Sequence, residues 1–134
     1  VFKHASIRSP YSIAAGPDGA LWFTNFGNRT TRQGASIGRI TTGGKVSVFR
    51  HPDVTGPRTI TAGPDGALWF TNNLIWDTNF DDSIGRITTA GKISTYRDAS
   101  VRFPYAIALG PDSAIWFANR DNDSIGRARI VARR

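Results

Sequence analysis

An all-β chain made from three copies of one small sheet is what this sequence predicts, and three observations carry that reading. First, GPDGALWFTN at 16–25 returns unchanged at 63–72 and as GPDSAIWFAN at 110–119, each time followed by SIGR, at 36–39, 83–86 and 124–127. Second, the runs between turns are rich in Val, Ile, Thr, Trp and Phe, which favour strands, and no stretch keeps a helical period. Third, the breaks are Gly-Pro-Asp, Thr-Gly-Gly and Ala-Gly, which is turn chemistry.

Each copy reads as four short strands. The first opens after a proline: PYSIAAG at 10–16, PRTITAG at 57–63 and PYAIALG at 104–110. The second is ALWFTN or AIWFAN, the third SIGRI or SIGRA, and the fourth KVSVFR at 45–50 or KISTYR at 92–97. Gly16 to Gly63 and Gly63 to Gly110 are each 47 residues, while Ser83 to Ser124 is 41, so one loop shortens and the strands keep register. Proline second and Asp third in Gly16-Pro17-Asp18-Gly19 suit a type I turn, in which Ser113 is expected to replace the last glycine freely. Asp18, Asp65 and Asp112 are accordingly read as turn formers rather than metal ligands.

Four-stranded units of this length are the blades of a β-propeller. Blades stack face to face, which explains apolar runs where a one-sided sheet would alternate, and it makes Trp22, Trp69 and Trp116 packing residues between blades. Arg39, Arg86 and Arg127 are expected to donate hydrogen bonds from blade to blade. The chain divides into blades at about 5–50, 51–97 and 98–134, with 1–4 as a closing strand. Three blades leave two raw faces. Val1-Phe2-Lys3-His4 matches Val48-Phe49-Arg50-His51, so dimerisation with N-terminal strand exchange, completing a six-bladed ring, is expected; a piece of a longer propeller is the alternative.

Composition bounds the rest. The 134 residues contain no cysteine and no methionine, and 17 Lys and Arg against 10 Asp and Glu give a net charge of +7. No apolar span suits a membrane helix, and the absent cysteine excludes a disulfide framework. A secreted, processed bacterial product is the expectation. Basic residues are scattered and no recognition helix accompanies them, which argues against nucleic acid.

The run P-Y-x-I-x-x-GPDG-A-L-W-F-T followed by S-I-G-R-I-T-T-x-G-K resembles the blade of virginiamycin B lyase, the streptogramin lyase family of seven-bladed propellers. That resemblance implies a magnesium-assisted elimination that opens a cyclic depsipeptide, with acidic residues and a histidine base at and beyond the end of strand two. The matching positions here are Asn25, Asn72 and Asn119, and the only histidines, His4 and His51, stand at strand-four ends. The expectation is therefore no catalytic residues, no metal and no cofactor.

The resemblance also marks the residue after the proline that opens strand one: Tyr11, Arg58 and Tyr105. With Asn25, Asn72 and Asn119 they would set an amide beside an aromatic or guanidinium group on each blade, and such pairs read sugar hydroxyls and C–H faces. Loops 26–29 and 74–82 add Trp76 as a ligand candidate and Arg8, Arg29, Asp77 and Arg102 as secondary contacts. Asp77, Asp81 and Asp82 lack the spacing and glycine of a Ca²⁺ loop. In size and repeat number the chain is similar to short actinomycete hemagglutinins, which implies a multivalent lectin for terminal monosaccharides such as L-rhamnose or galactose on glycans or cell-surface polysaccharides. The alternative is a fragment or inactive relative of the magnesium-dependent lyase.

Overall fold

A computed structural model describes residues 1–28, 30–73 and 82–130, and among these every regular element is a strand. Blade one contains β1 (Pro10–Ala15), β2 (Leu21–Asn25), β3 (Ser36–Ile40) and β4 (Val46–Phe49). Blade two contains β5 (Pro57–Ala62), β6 (Leu68–Asn72), β7 (Ser83–Ile87) and β8 (Ile93–Tyr96). Blade three contains β9 (Pro104–Leu109), β10 (Ile115–Asn119) and β11 (Ser124–Ala128). Each sheet is an antiparallel meander in chain order, and the third has three strands among the described residues. These are β-propeller blades, stacked through the neighbouring first strands β1, β5 and β9.

The repeated words of the sequence each have a physical cause. In every blade the indole N–H of the WF strand donates to the turn aspartate: Trp22 to Asp18 at 3.0 Å, Trp69 to Asp65 at 3.1 Å and Trp116 to Asp112 at 2.9 Å. The second carboxylate oxygen accepts Arg39, Arg86 or Arg127 Nε, at 2.8 Å in each case. These arginines lie directly across the ladder from the tryptophans, so they brace their own blade and do not bridge to the next as expected. Hydrogen bonds from Trp116 and Arg127 hold the Asp112 carboxyl down at about 2. Burial alone would raise Asp18 and Asp65, but the same bonds outweigh it and leave both lowered.

The glycine of SIGR is explained by the phenylalanine opposite. Phe23 pairs with Gly38, Phe70 with Gly85 and Phe117 with Gly126, and a Cβ on any of the three glycines would overlap the facing ring. The fourth residue of the Gly-Pro-Asp turn is left-handed, with φ of 80° at Gly19, 79° at Gly66 and 61° at Ser113. Ser113 therefore carries strain that a simple type I turn would have spared it.

Packing between blades follows one plan. Trp22 and Ile37 of blade one meet Ile60, Leu68, Phe70 and Ile87 of blade two, and Trp69 and Ile84 of blade two meet Ile115 and Phe117 of blade three. Phe49 stacks on Trp22 and Tyr96 on Trp69, with ring centroids 5.7 Å apart in both pairs. Thr24 Oγ1 donates to the Arg58 carbonyl at 2.6 Å, and Thr71 Oγ1 to the Tyr105 carbonyl at 2.8 Å. The tryptophans thus pack between blades, as their apolar setting predicted.

Candidate functional site

All three blades break register at the same point. The ladder runs from Pro10↔Asn25 to Ile13↔Phe23, from Pro57↔Asn72 to Ile60↔Phe70, and from Pro104↔Asn119 to Ile107↔Phe117, so three residues oppose two. A bulge bends its strand and re-aims its side chains. Tyr11, Arg58 and Tyr105 all lie in these bulges, at the mouth of the inner strands, and the structure brings them together. The Arg58 guanidinium carbon is 5.8 Å from the Tyr11 ring centroid and 5.2 Å from that of Tyr105. The two tyrosine rings meet edge to face at 6.0 Å, with their hydroxyls hydrogen-bonded.

Two further rings complete the cluster. Phe26 and Phe103 centroids stand 4.9 and 5.3 Å from the Arg58 guanidinium. A cation over an aromatic face is attracted by the ring quadrupole, by about 0.5–2 kcal/mol as water is withdrawn. Arg58 is only 5% exposed, and its Nε donates to Asn73 Oδ1 at 2.7 Å. Asn73, itself fully buried, donates onward to the Pro104 carbonyl. Phe103 sits at a φ of 50°, an outlier for a bulky aromatic, with its N–H held by Asp82 Oδ2 at 2.8 Å. Tyr11, at 48% exposure, presents the cluster to solvent.

Phe26, Asn73 and Phe103 were missed in the sequence. Phe26, Asn73 and Arg120 share one repeat position, immediately after WFTN or WFAN, where the three copies disagree. Disagreement inside an otherwise constant repeat was the available signal.

The asparagines occupy different ground from that expected. Asn25, Asn72 and Asn119 are buried, at 0, 0 and 4% exposure. Their Oδ1 atoms accept the backbone N–H of Arg8, of Thr55 and Gly56, and of Arg102. Their Nδ2 groups donate to the carbonyls of Ser6, Asp53 and Ser100 and to the hydroxyls of Ser36, Ser83 and Ser124. Both ends of each amide are engaged in pinning the chain crossing to the WF strand, so none faces a ligand.

The secondary candidates also disperse. Arg8 lines a separate groove of about 550 Å³ with Arg32, Arg50 and His51, and Arg102 borders a hollow with Asp82 and Asp98. Arg29, Trp76 and Asp77 lie outside the described residues. His4 and His51 cap equivalent turns, accepting the N–H of Ser6 and Asp53 on Nδ1 at 3.1 Å.

A magnesium ion at the strand-two ends does not fit these residues. A hard divalent cation takes carboxylate oxygens and water, whereas here the three positions are buried amides whose oxygens already accept hydrogen bonds. Among the described residues no group of three or more His, Cys, Asp or Glu is placed to hold a metal ion. The mouth of the inner strands offers aromatic faces, phenolic hydroxyls and a caged cation. It is suited to gripping a ligand with apolar rings and peptide carbonyls.

Comparison with known proteins bears on which ligand. The family model described as Virginiamycin B lyase family matches residues 4–133. A catalytically inactive virginiamycin B lyase from Staphylococcus aureus, solved with quinupristin, is 39% identical, with a TM-score of 0.74 over 88% of this chain and 37% of that one. A streptogramin B lyase structure is 36% identical, with a TM-score of 0.67 over 92% of this chain and 41% of that one. A putative gluconolactonase superposes at a TM-score of 0.73 over 98% of this chain and 48% of its own, but at 18% identity it shares the fold alone. No match was found among curated proteins. The chain thus spans less than half the length of each structure it matches here. These findings overturn the lectin expectation: the matches are to lyases, and the asparagines that were to read sugar hydroxyls are sealed inside the blades.

Proposed function

Because the chain belongs to the virginiamycin B lyase family, we propose that it forms a substrate-holding arc of a streptogramin-lyase-type propeller and contacts a cyclic depsipeptide through Tyr11, Arg58 and Tyr105. The observation that carries the reading is the convergence of these three bulge residues, one from each blade, on a single exposed mouth. The relative solved with quinupristin supports the choice of ligand class.

In this reading Arg58 is a positioning residue. Its buried guanidinium holds four rings in a fixed arrangement, and the accessible ligand contacts are the ring and hydroxyl of Tyr11 and the ring of Tyr105. Stacking of one ligand ring on such a platform contributes about 0.5–1.5 kcal/mol, a few-fold to about tenfold in affinity per ring. Elimination needs a group that removes a proton. The mouth presents neither carboxylate nor imidazole, so the arc binds the antibiotic without opening it.

The test is a calorimetric titration of the 134-residue chain with quinupristin in magnesium-containing buffer, followed by chromatography of the recovered antibiotic. Saturable binding, weakened at least tenfold in the Tyr11→Ala/Tyr105→Ala double variant, with the depsipeptide recovered intact, is the expected result. No saturation at millimolar antibiotic, or binding indifferent to both tyrosines, overturns the assignment; ring opening by the chain alone overturns the division of labour.

A further inference from the structure

The two joints inside the chain are copies of one another, and each has a Trp side and a Phe side. At the first joint the Trp side is Trp22 with Ile37, and the Phe side is Ile60, Leu68, Phe70 and Ile87. At the second the Trp side is Trp69 with Ile84, and the Phe side is Ile107, Ile115 and Phe117. One half-joint of each kind is left uncovered. Blade one turns its Phe side outward, where Ile7, Ile13, Phe23 and Ile40 line an apolar groove of about 310 Å³ together with Phe2. Blade three turns its Trp side outward with Trp116 and Ile125.

Exposure at equivalent positions shows what is missing. Ile60 is 6% exposed and its counterpart Ile13 is 61% exposed; Ile37 and Ile84 are at 0 and 3%, and their counterpart Ile125 is at 69%. Large apolar side chains left open at positions that are sealed elsewhere in the same fold mark a surface built for a partner.

The N-terminal segment supplies a second, independent observation. A Cβ on Gly44 would fall on the Phe2 ring, as one on Gly91 would fall on the Phe49 ring, so Phe2 lies against blade one as Phe49 lies against blade two. The turn that follows is also the same. Ile7 N–H donates to the His4 carbonyl, Val54 to that of His51, and Val101 to that of Asp98, at 3.1, 3.0 and 2.9 Å. Residues 1–7 therefore already have the shape and seat of the end of a fourth strand arriving from a preceding blade. Blade three lacks such a strand among the described residues, and Trp116 has no ring stacked on it as Trp22 and Trp69 do.

We infer that a second copy of this chain covers both faces. The Trp side of blade three packs on the Phe side of the partner's blade one, and the N-terminal segment that rides on that blade pairs with the open edge of β11. Twofold symmetry then repeats the joint on the opposite side and closes a six-bladed ring with no raw face left. The new joint has one hydrogen bond fewer than the internal ones, because Ala118 stands where Thr24 and Thr71 donate across. This inference is independent of the ligand.

The test is the solution mass of the 134-residue chain by light scattering at micromolar concentration. Two chains per particle are expected. Ile13→Glu and Ile125→Glu, both at surface positions of the single chain, should each give folded monomers with unchanged far-ultraviolet spectra. An equimolar mixture of the two variants regains one intact joint and should return to dimer, which neither variant reaches alone. A monomeric wild type, an open ladder of sizes, or a mixture that stays monomeric overturns the proposal.

Discussion

Replacing Gly85 by Ala places a methyl group where the Phe70 ring already lies. Three ring atoms of Phe70 stand within 2.6 Å of the position that a Cβ would take, against an ordinary carbon contact of about 3.5–4.0 Å. The ring would have to shift by about 1 Å, yet Phe70 is fully buried among Trp22, Leu68 and Ile87. Overpacking of this kind costs about 1–3 kcal/mol. The lower unfolded-state entropy of Ala returns about 0.5–1 kcal/mol, leaving a net loss of about 1–2 kcal/mol. With a urea slope of about 1–3 kcal/mol/M, the midpoint should fall by about 1 M. Gly43→Ala is the control: its nearest neighbour is Thr41 Oγ1 at 3.8 Å and its φ is not left-handed, so the change should stay within about 0.5 kcal/mol. Shortening the ring in Gly85→Ala/Phe70→Leu should cost less than the two single changes summed. A Gly85→Ala midpoint equal to that of Gly43→Ala would refute the reasoning.

The remaining predictions concern the turn, its carboxylates and the mouth. Asp65→Asn leaves Trp69 and Arg86 without their shared anion and should lower stability by about 1–3 kcal/mol in urea melts. Asp18, Asp65 and Asp112 are depressed below the ordinary 3.8, Asp112 to about 2. The unfolded chain binds their protons first, so their stabilisation is complete above about pH 4 and is lost as pH falls toward 2; acid melts of Asp112→Asn should show a shallower loss across that window. Ser113→Gly relieves a φ of 61° and should raise the urea midpoint slightly, by up to about 0.5 kcal/mol after Gly's entropy cost; a fall would show that the serine is not strained. Arg58→Gln removes the cation shared by four rings and should weaken quinupristin binding at least threefold in calorimetry, whereas Arg39→Gln should leave binding unchanged.

The blades were legible because repetition averages out the ambiguity of any single short strand. Three copies of Leu-Trp-Phe or Ile-Trp-Phe at fixed distance from Gly-Pro-Asp and Ser-Ile-Gly-Arg fixed strand, turn and stacking together. Spacing places a residue on a strand and at one end of it, but not what its polar atoms meet. Asn25, Asn72 and Asn119 share the end where Tyr11 and Tyr105 emerge, yet the chain crossing from the preceding fourth strand folds over them and takes both ends of the amide. Arg39 was misread for a related reason, since its partner Asp18 is 21 residues away in sequence and adjacent only through the β2–β3 ladder. The mouth itself was half legible. Tyr11, Arg58 and Tyr105 follow a repeated proline, whereas Phe26, Asn73 and Phe103 join them through a bulge that no residue pattern announces.

The substrate-holding role is tested most directly by nuclear magnetic resonance of the aromatic side chains during a quinupristin titration. The account predicts saturable shifts centred on the rings of Tyr11, Phe103 and Tyr105, with Trp22 and Trp69, sealed between blades, unmoved. Shifts confined to the groove lined by Arg8, Arg50 and His51, or no shift at any ring at saturating antibiotic, would contradict it.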